Sequence, residues 1–291
     1  MADFVALLVS GCATGAIYAL AAIGFTLLWH TSQTVNFAQG EFVMLPAFLM
    51  LAVAHAGLPF WAAILVGTAI TLLLLGLAFK KLLVDPMLRH GALPLAIATM
   101  ALSLFMKESV KEFFSAEAQP FPSIVPAGEI ALGGIGVSLQ SLGVLALAVL
   151  AVVLLQLLLE RTSTGRQMQA AASNPTVARI LGIPVERMIL YTFLINAGLV
   201  ALASLLITPI YLAKFSSGET LGMAAFIAAI VGGFNAVRGA IAGGFILGML
   251  DNLGAAYVST QYRGAIPLIL LIAVILFRPQ GLLGKTEERT V

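Results

Sequence analysis

The sequence predicts an all-α polytopic membrane protein: a transmembrane helical bundle of about 8–9 spans with a short helical element on one side. Two observations carry this prediction. Of 291 residues, 60% are hydrophobic and 10% charged, with a mean hydropathy of +1.06, whereas soluble domains carry about 25% charged residues. The apolar residues gather in runs near the roughly 20 that a helix needs to cross a hydrocarbon core about 30 Å thick. Backbone hydrogen bonding in lipid leaves helices as the element for runs of this length. The net charge of +2 is small and scattered through loops, so it speaks for orientation in a lipid bilayer, and no nucleic-acid partner is expected.

The first run, about 4 to 29, lacks a basic leader and is too long for a signal-peptide core, so it is expected to be retained. Further runs lie at about 37 to 54, 59 to 82, 93 to 113, 138 to 160, 185 to 208, 219 to 234, 238 to 258 and 264 to 277. Only GGFNAVRG parts the seventh from the eighth, which leaves eight or nine spans open. Residues 1–285 read as a single transmembrane domain and 286–291 as a tail. Segment 114 to 137, with prolines 120, 122 and 126, reads as an ordered cap or lid-like loop.

Charge sets the orientation. If the loop at 80 to 90 is cytoplasmic, that side holds Lys80, Lys81, Arg89, Arg161, Arg166, Arg179, Arg187, Arg238, Arg278, Lys285 and Arg289, or 11 of the 15 basic residues. Lys107, Lys111, Lys214 and Arg263 fall opposite. The positive-inside rule then puts the carboxyl terminus in the cytoplasm, and nine spans put the amino terminus outside.

The long polar interruption RTSTGRQMQAAASNPTVARILGIPVER, 161 to 187, reads as short helices. Thr164 is placed to cap a helix from Gly165, with Met168, Ala171 and Ala172 on one face. Asn174 before Pro175 is a second start, Gly182 a stop, and Pro184 with Glu186 opens the next span. Pattern alone leaves two readings: an amphipathic connector lying on headgroups, or an element seated on a cytoplasmic partner.

Several polar residues sit inside apolar runs. Ser10, Thr14 and Tyr18 share a helix face beside Gly11 and Gly15; they line a path for a zwitterionic solute, or the hydroxyls bond back to their own helix while the glycines pack. Asn36 and Gln39 match a capping pattern, with Glu41 in the first turn of the second span; a helix start within a membrane is equally a place to hold a solute carboxylate. Asp251 and Asn252 lie well inside the eighth span, where a charge costs about 2.5–3.5 kcal/mol on insertion scales. Either an inter-helix hydrogen bond or a pathway role accounts for them. Gly239, Gly243, Gly244 and Gly248 give overlapping G-x-x-x-G spacings that favour tight helix packing.

No catalytic or metal-binding constellation is expected. Cys12 is the single cysteine, and His30, His55 and His90 are isolated near span ends. Glu41 and Asp251 have no histidine within reach on their own helices, which argues against an intramembrane enzyme. The tail PQGLLGKT approaches a P-loop, but Pro279 stands at the first glycine position.

The interruption RTSTGRQMQAAASNPTVARILGIPVERM resembles the cytoplasmic loop of branched-chain amino acid ABC transporter permeases. NFAQGEFVML at 36 to 45 and FRPQGLLG at 277 to 284 are similar to two further segments of that family, in the same order. Length and the lack of an extra amino-terminal block resemble the LivH-type subunit. The resemblance implies a bacterial inner-membrane importer with a LivM-like second permease, two cytoplasmic ABC ATPases and a periplasmic solute-binding protein. ATP and magnesium would sit on the ATPases, with no cofactor on this chain. It also implies ATPase coupling through Gly165, Arg166, Ala172, Asn174, Ala178 and Gly182, and branched-chain amino acids as solutes. Related permeases for urea, short-chain amides or aromatic acids are the alternative. An ATPase-independent secondary transporter or channel is the rival of another class.

Overall fold

The computed structural model describes residues 2–32, 34–126, 128–132, 135–260 and 264–284. The tail 286–291, with Arg289, lies outside the described residues, as do Lys285 and Arg263. Each predicted apolar run folds as one helix: α1 (Ala2–Ser32), α2 (Gln39–His55), α3 (Phe60–Leu88), α4 (Ala92–Phe114), α5 (Leu139–Arg161), α8 (Val185–Tyr211), α9 (Ser217–Gly232), α10 (Val237–Tyr257) and α11 (Ala265–Phe277). The polar interruption supplies α6 (Ser163–Ser173) and α7 (Pro175–Ile180).

Six of these helices, α1, α3, α4, α5, α8 and α10, are long and apolar enough to cross a membrane. The other three apolar helices are shorter. With 17, 16 and 13 residues, α2, α9 and α11 extend about 26, 24 and 20 Å at about 1.5 Å per residue, less than a full hydrocarbon core.

The structure corrects two sequence expectations here. Residues 80 to 88 are not a loop: α3 continues to Leu88 through a stretch of wide, π-type turns over Leu72–Val84. Lys80 is accordingly buried, and its Nζ donates to both oxygens of Asp85 at 2.9 and 2.8 Å. Segment 114 to 137 is not loop throughout either. It contains β1 (Glu129–Leu132), paired antiparallel with β2 (Ile135–Ser138).

The chain packs as two compact units, Met1–Thr26 with Ser123–Ala148 and Met223–Val291, and Leu27–Pro122 with Val149–Gly222. In the first, α10 lies against α1 at glycine contacts: a Cβ on Gly248 would stand 2.2 Å from the Gly15 backbone, and one on Gly244 2.5 Å from Ala19 N. Gly239 and Gly243 press on the end of α9, at Gly232 and Ala228. The segment after α11 closes over the same helix end, where Leu282 and Leu283 amides donate to the Val231 and Gly232 carbonyls at 2.8 and 2.9 Å. These carbonyls would otherwise be orphans of the last turn.

In the second unit, α2 packs on α3 and α8. Phe42, Phe79 and Phe193 form its aromatic centre, with ring centroids 4.8 and 5.8 Å apart. Pro46 interrupts α2, and the Ala47 amide one residue on donates to Ser204 Oγ of α8 at 3.1 Å. A neighbouring hydroxyl thus satisfies backbone beside a proline in an apolar helix.

Candidate functional site

Three places collect the polar residues singled out from sequence. The first opens α2. Asn36 Oδ1 accepts the Ala38 amide at 3.1 Å and its carbonyl accepts the Gln39 amide at 3.2 Å, a turn immediately before the helix. The expected reciprocal cap does not form, because the helix is capped at Ala38; Asn36 Nδ2 instead donates to Gln39 Oε1 at 3.4 Å, and Gln39 also reaches another helix. Its Nε2 donates to Asn196 Oδ1 at 2.8 Å, and Asn196 Nδ2 donates back to Gln39 Oε1 at 3.1 Å. Both side chains are fully buried. Paired amides satisfy each other's donor and acceptor, which makes such burial tolerable in an apolar setting.

Asn196 is the residue that pattern reading missed. It stands mid-way along α8 as a lone amide, and only its partner, distant in sequence, gives it meaning. Glu41, one turn into α2, is also buried, against Gly218 of α9 and hydrogen-bonded to Ser103. The cavity beside Asn36, lined by Thr34, Phe79, Thr99 and Phe193, has a volume of about 10 Å³. That is space for about one water and far below an amino acid.

The second place joins α1 to α10. The Tyr18 hydroxyl donates to Asp251 Oδ2 at 3.1 Å. Asn252 Nδ2 donates to Thr14 Oγ1 at 3.3 Å and to the Gly248 carbonyl at 3.1 Å. Thr14, Tyr18, Asp251 and Asn252 thus meet in one cluster; Ser10 lies one turn earlier, half-buried. The glycine contacts of Gly11, Gly15, Gly244 and Gly248 bring these short polar groups within bonding range.

The third place is the connector. Thr162, not Thr164, caps α6: its Oγ1 accepts the Gly165 amide at 2.9 Å, so the helix begins at Ser163. Asn174 caps α7, its Oδ1 accepting the Thr176 and Val177 amides at 3.1 and 3.0 Å. Gly182, at φ +79°, ends it. Its amide donates to Arg179 O and that of Ile183 to Ala178 O, both at 3.0 Å, the Schellman pattern that uses up the last carbonyls.

Met168, Ala171 and Ala178 bury together with Val185 and Met188 of α8. Gly165 is buried as well, and a Cβ on it would stand 2.1 Å from Leu158 O of α5. Of the six candidate coupling residues, then, Gly165 and Ala178 face inward, Ala172 is half-buried, and Arg166, Asn174 and Gly182 are exposed. Val177, Ile180 and Leu181 also lie outward, at 48%, 79% and 72% exposure, so this short helix presents an apolar outer surface.

A family model described as branched-chain amino acid transport system, permease component, matches residues 7–275. The chain belongs to this family. The high-affinity branched-chain amino acid transport system permease protein BraD of Pseudomonas aeruginosa is 30% identical, the match covering 98% of this chain and 97% of that protein. The corresponding LivH of Escherichia coli K12 is 29% identical over 97% of this chain and 96% of its own. Among solved structures, PsaBC from Streptococcus pneumoniae in complex with Fab superposes with a TM-score of 0.50 at 12% identity, covering 93% of this chain and 88% of that one. At that identity the likeness is one of fold. Membership makes the chain a multi-pass permease subunit of an ABC importer.

Proposed function

We propose that this chain carries branched-chain amino acids across the bacterial inner membrane, with residues 1–285 as one permease domain of eight or nine spans and a cytoplasmic carboxyl terminus. A LivM-like second permease, two cytoplasmic ATPases and a periplasmic binding protein complete the importer. ATP and magnesium stay on the ATPases. The observation that carries the reading is similarity over nearly the whole chain to two permeases named for these amino acids.

The connector would be the drive shaft. It is capped at both starts and stapled to α5 and α8 by Met168, Ala171 and Ala178, so a push on its outer surface reaches those two long helices. Closure of the ATPases on ATP would move α6 and α7 and switch access from the periplasmic to the cytoplasmic side, with docking free energy as the coupling term. Arg166, Ala172, Asn174 and Gly182 form the outer surface, while Gly165 and Ala178 fix its seat. The solute path would draw on the two polar places, Asn36, Gln39 and Glu41 in one and Ser10, Thr14, Tyr18, Asp251 and Asn252 in the other.

The test is reconstitution of the purified complex in proteoliposomes. Leucine, isoleucine and valine uptake should require ATP, the ATPases and the binding protein, and should exceed uptake of urea, short amides and aromatic acids. Uptake that persists without the ATPases would overturn the importer reading. Preference for one of the other solutes would overturn the substrate.

A further inference from the structure

Lys107 stands sixteen residues into the 23 of α4, where the helix passes from its apolar stretch to the charged end KESVKE. Its Nζ lies 2.6 Å from Glu219 Oε1, in the first turn of α9. Glu41 of α2 is within electrostatic reach of both. The glycines explain how three charges from three helices meet. A Cβ on Gly40 would fall 2.1 Å from Gly218 O, and one on Gly222 2.8 Å from Gly40 Cα, so the first turns of α2 and α9 touch backbone to backbone. That contact sets Glu41, whose Oε1 stands 3.0 Å from a Cβ built on Gly218, beside the helix turn that carries Glu219.

The group is asymmetric. Glu41 is 3% exposed, the Lys107 side chain 20% and the Glu219 side chain 65%, so a buried acid underlies an ion pair open on one side. Glu219 and Glu41 both face the Lys107 ammonium, while neighbouring Glu108 has Lys111 at 3.5 Å as its own partner. An ion pair this open to solvent contributes little to stability, so holding two helices together is a weak reason for it. Glu41, buried in an apolar helix beside that pair, is the kind of ionisable group that marks a ligand pathway instead.

We propose that Lys107, Glu219 and Glu41 form a subsite for the zwitterionic head of an α-amino acid, an inference that rests on the amino-acid reading above. The solute α-carboxylate takes Lys107 Nζ from Glu219. Its α-ammonium is then held between Glu219 and Glu41, the acid that the resting pair leaves in excess. One ion pair opens and the solute's two charges are both matched, so neither is left bare beside the buried acid. A solute without both charges gains nothing from the exchange.

The experiment uses the complete importer in proteoliposomes and reads leucine uptake beside binding-protein-stimulated ATP hydrolysis. Lys107→Met and the isosteric Glu219→Gln should each lower uptake at least about tenfold, the scale of one lost hydrogen bond to a charged group of the solute. Assembly with the partner subunits should persist. The decisive protein is the double swap Lys107→Glu with Glu219→Lys, which restores an ion pair but reverses its polarity beside Glu41. It should assemble like the parent and still fail to transport. Recovery of uptake in the swap would show that the pair only ties α4 to α9, and would overturn the subsite. Normal uptake in Glu219→Gln overturns it as well, even where Lys107→Met fails to assemble. A parent complex that takes up urea or amides but no amino acid removes the substrate reading itself, and the subsite falls with it.

Discussion

Gly248→Ala tests whether close helix approach holds the α1–α10 polar cluster together. The added Cβ would stand 2.2 Å from Gly15 Cα and N and 2.6 Å from Gly11 O, all backbone atoms that cannot rotate away. Ordinary contact begins near 3.4 Å, so the helices must part by about 1.2 Å. The Tyr18–Asp251 hydrogen bond, 3.1 Å long, would then pass the limit of about 3.5 Å at which such a bond survives. Overpacking costs about 1–3 kcal/mol, and an inter-helix hydrogen bond in a membrane is worth about 0.6–1.7 kcal/mol. Tyr18→Phe alone should therefore cost about 0.6–1.7 kcal/mol. In the Gly248→Ala background it should cost almost nothing, because the bond is already broken. Unfolding by SDS titration in mixed micelles, on the parent, both single variants and the double, measures the cycle. Additive costs would refute the coupling, and a neutral Gly248→Ala would refute the packing.

Asn196→Leu removes both bonds to Gln39 and should destabilise the protein by about 1–3 kcal/mol in the same titration, whereas Ser10→Ala, at a half-buried position, should fall within about 0.5 kcal/mol of the parent. Asn174→Ala deletes the acceptor for the Thr176 and Val177 amides and should cost about 1 kcal/mol. The loss should appear as faster hydrogen exchange confined to α7 and not as global unfolding. Ile180→Asp, on the exposed side of α7, should abolish ATP-dependent uptake and co-purification of the ATPases while leaving the fold's melting temperature unchanged. Gly165 is the wrong place for that test, since any side chain there collides with the α5 backbone and would unseat α6 by packing alone.

The sequence is legible where the cause is local. Nine apolar runs became nine helices because hydrocarbon and backbone hydrogen bonding leave no other element for them. The Asn174–Pro175 start and the Gly182 stop were readable for a similar reason. A cap is made by residues two or three positions away, and a positive φ favours glycine whatever the rest of the chain does. Two of the misplacements are of one residue type or one helix end. Thr162 and Thr164 are equivalent as letters, and only the turn of α5 into α6 decides which hydroxyl meets the Gly165 amide. Likewise α3 runs on past Lys80 because Asp85 lies five residues further along the same helix, one wide turn away, and neutralises it. Charge counting treats such a lysine as a loop marker.

What stayed hidden is partnership across the chain. Asn196 and Gln39 are separated by 157 positions, and Tyr18 and Asp251 by 233. Neither residue in a pair announces the other. Yet the need for a partner was readable, since an amide or a carboxylate inside an apolar helix must be satisfied by protein or water. For a chain of this kind a polar residue in a span therefore predicts a bond whose other end is unknown, and a glycine spacing on the same helix predicts where that end can come close enough. Gly248 precedes Asp251 and Asn252 by three and four positions on one face, and Gly40 immediately precedes Glu41. In both places the small residue brings in the neighbouring helix and the polar residue beside it makes use of the approach. Reading glycine and charge as one motif would have pointed to the α1–α10 cluster and to the α2–α9 crossing before any coordinates.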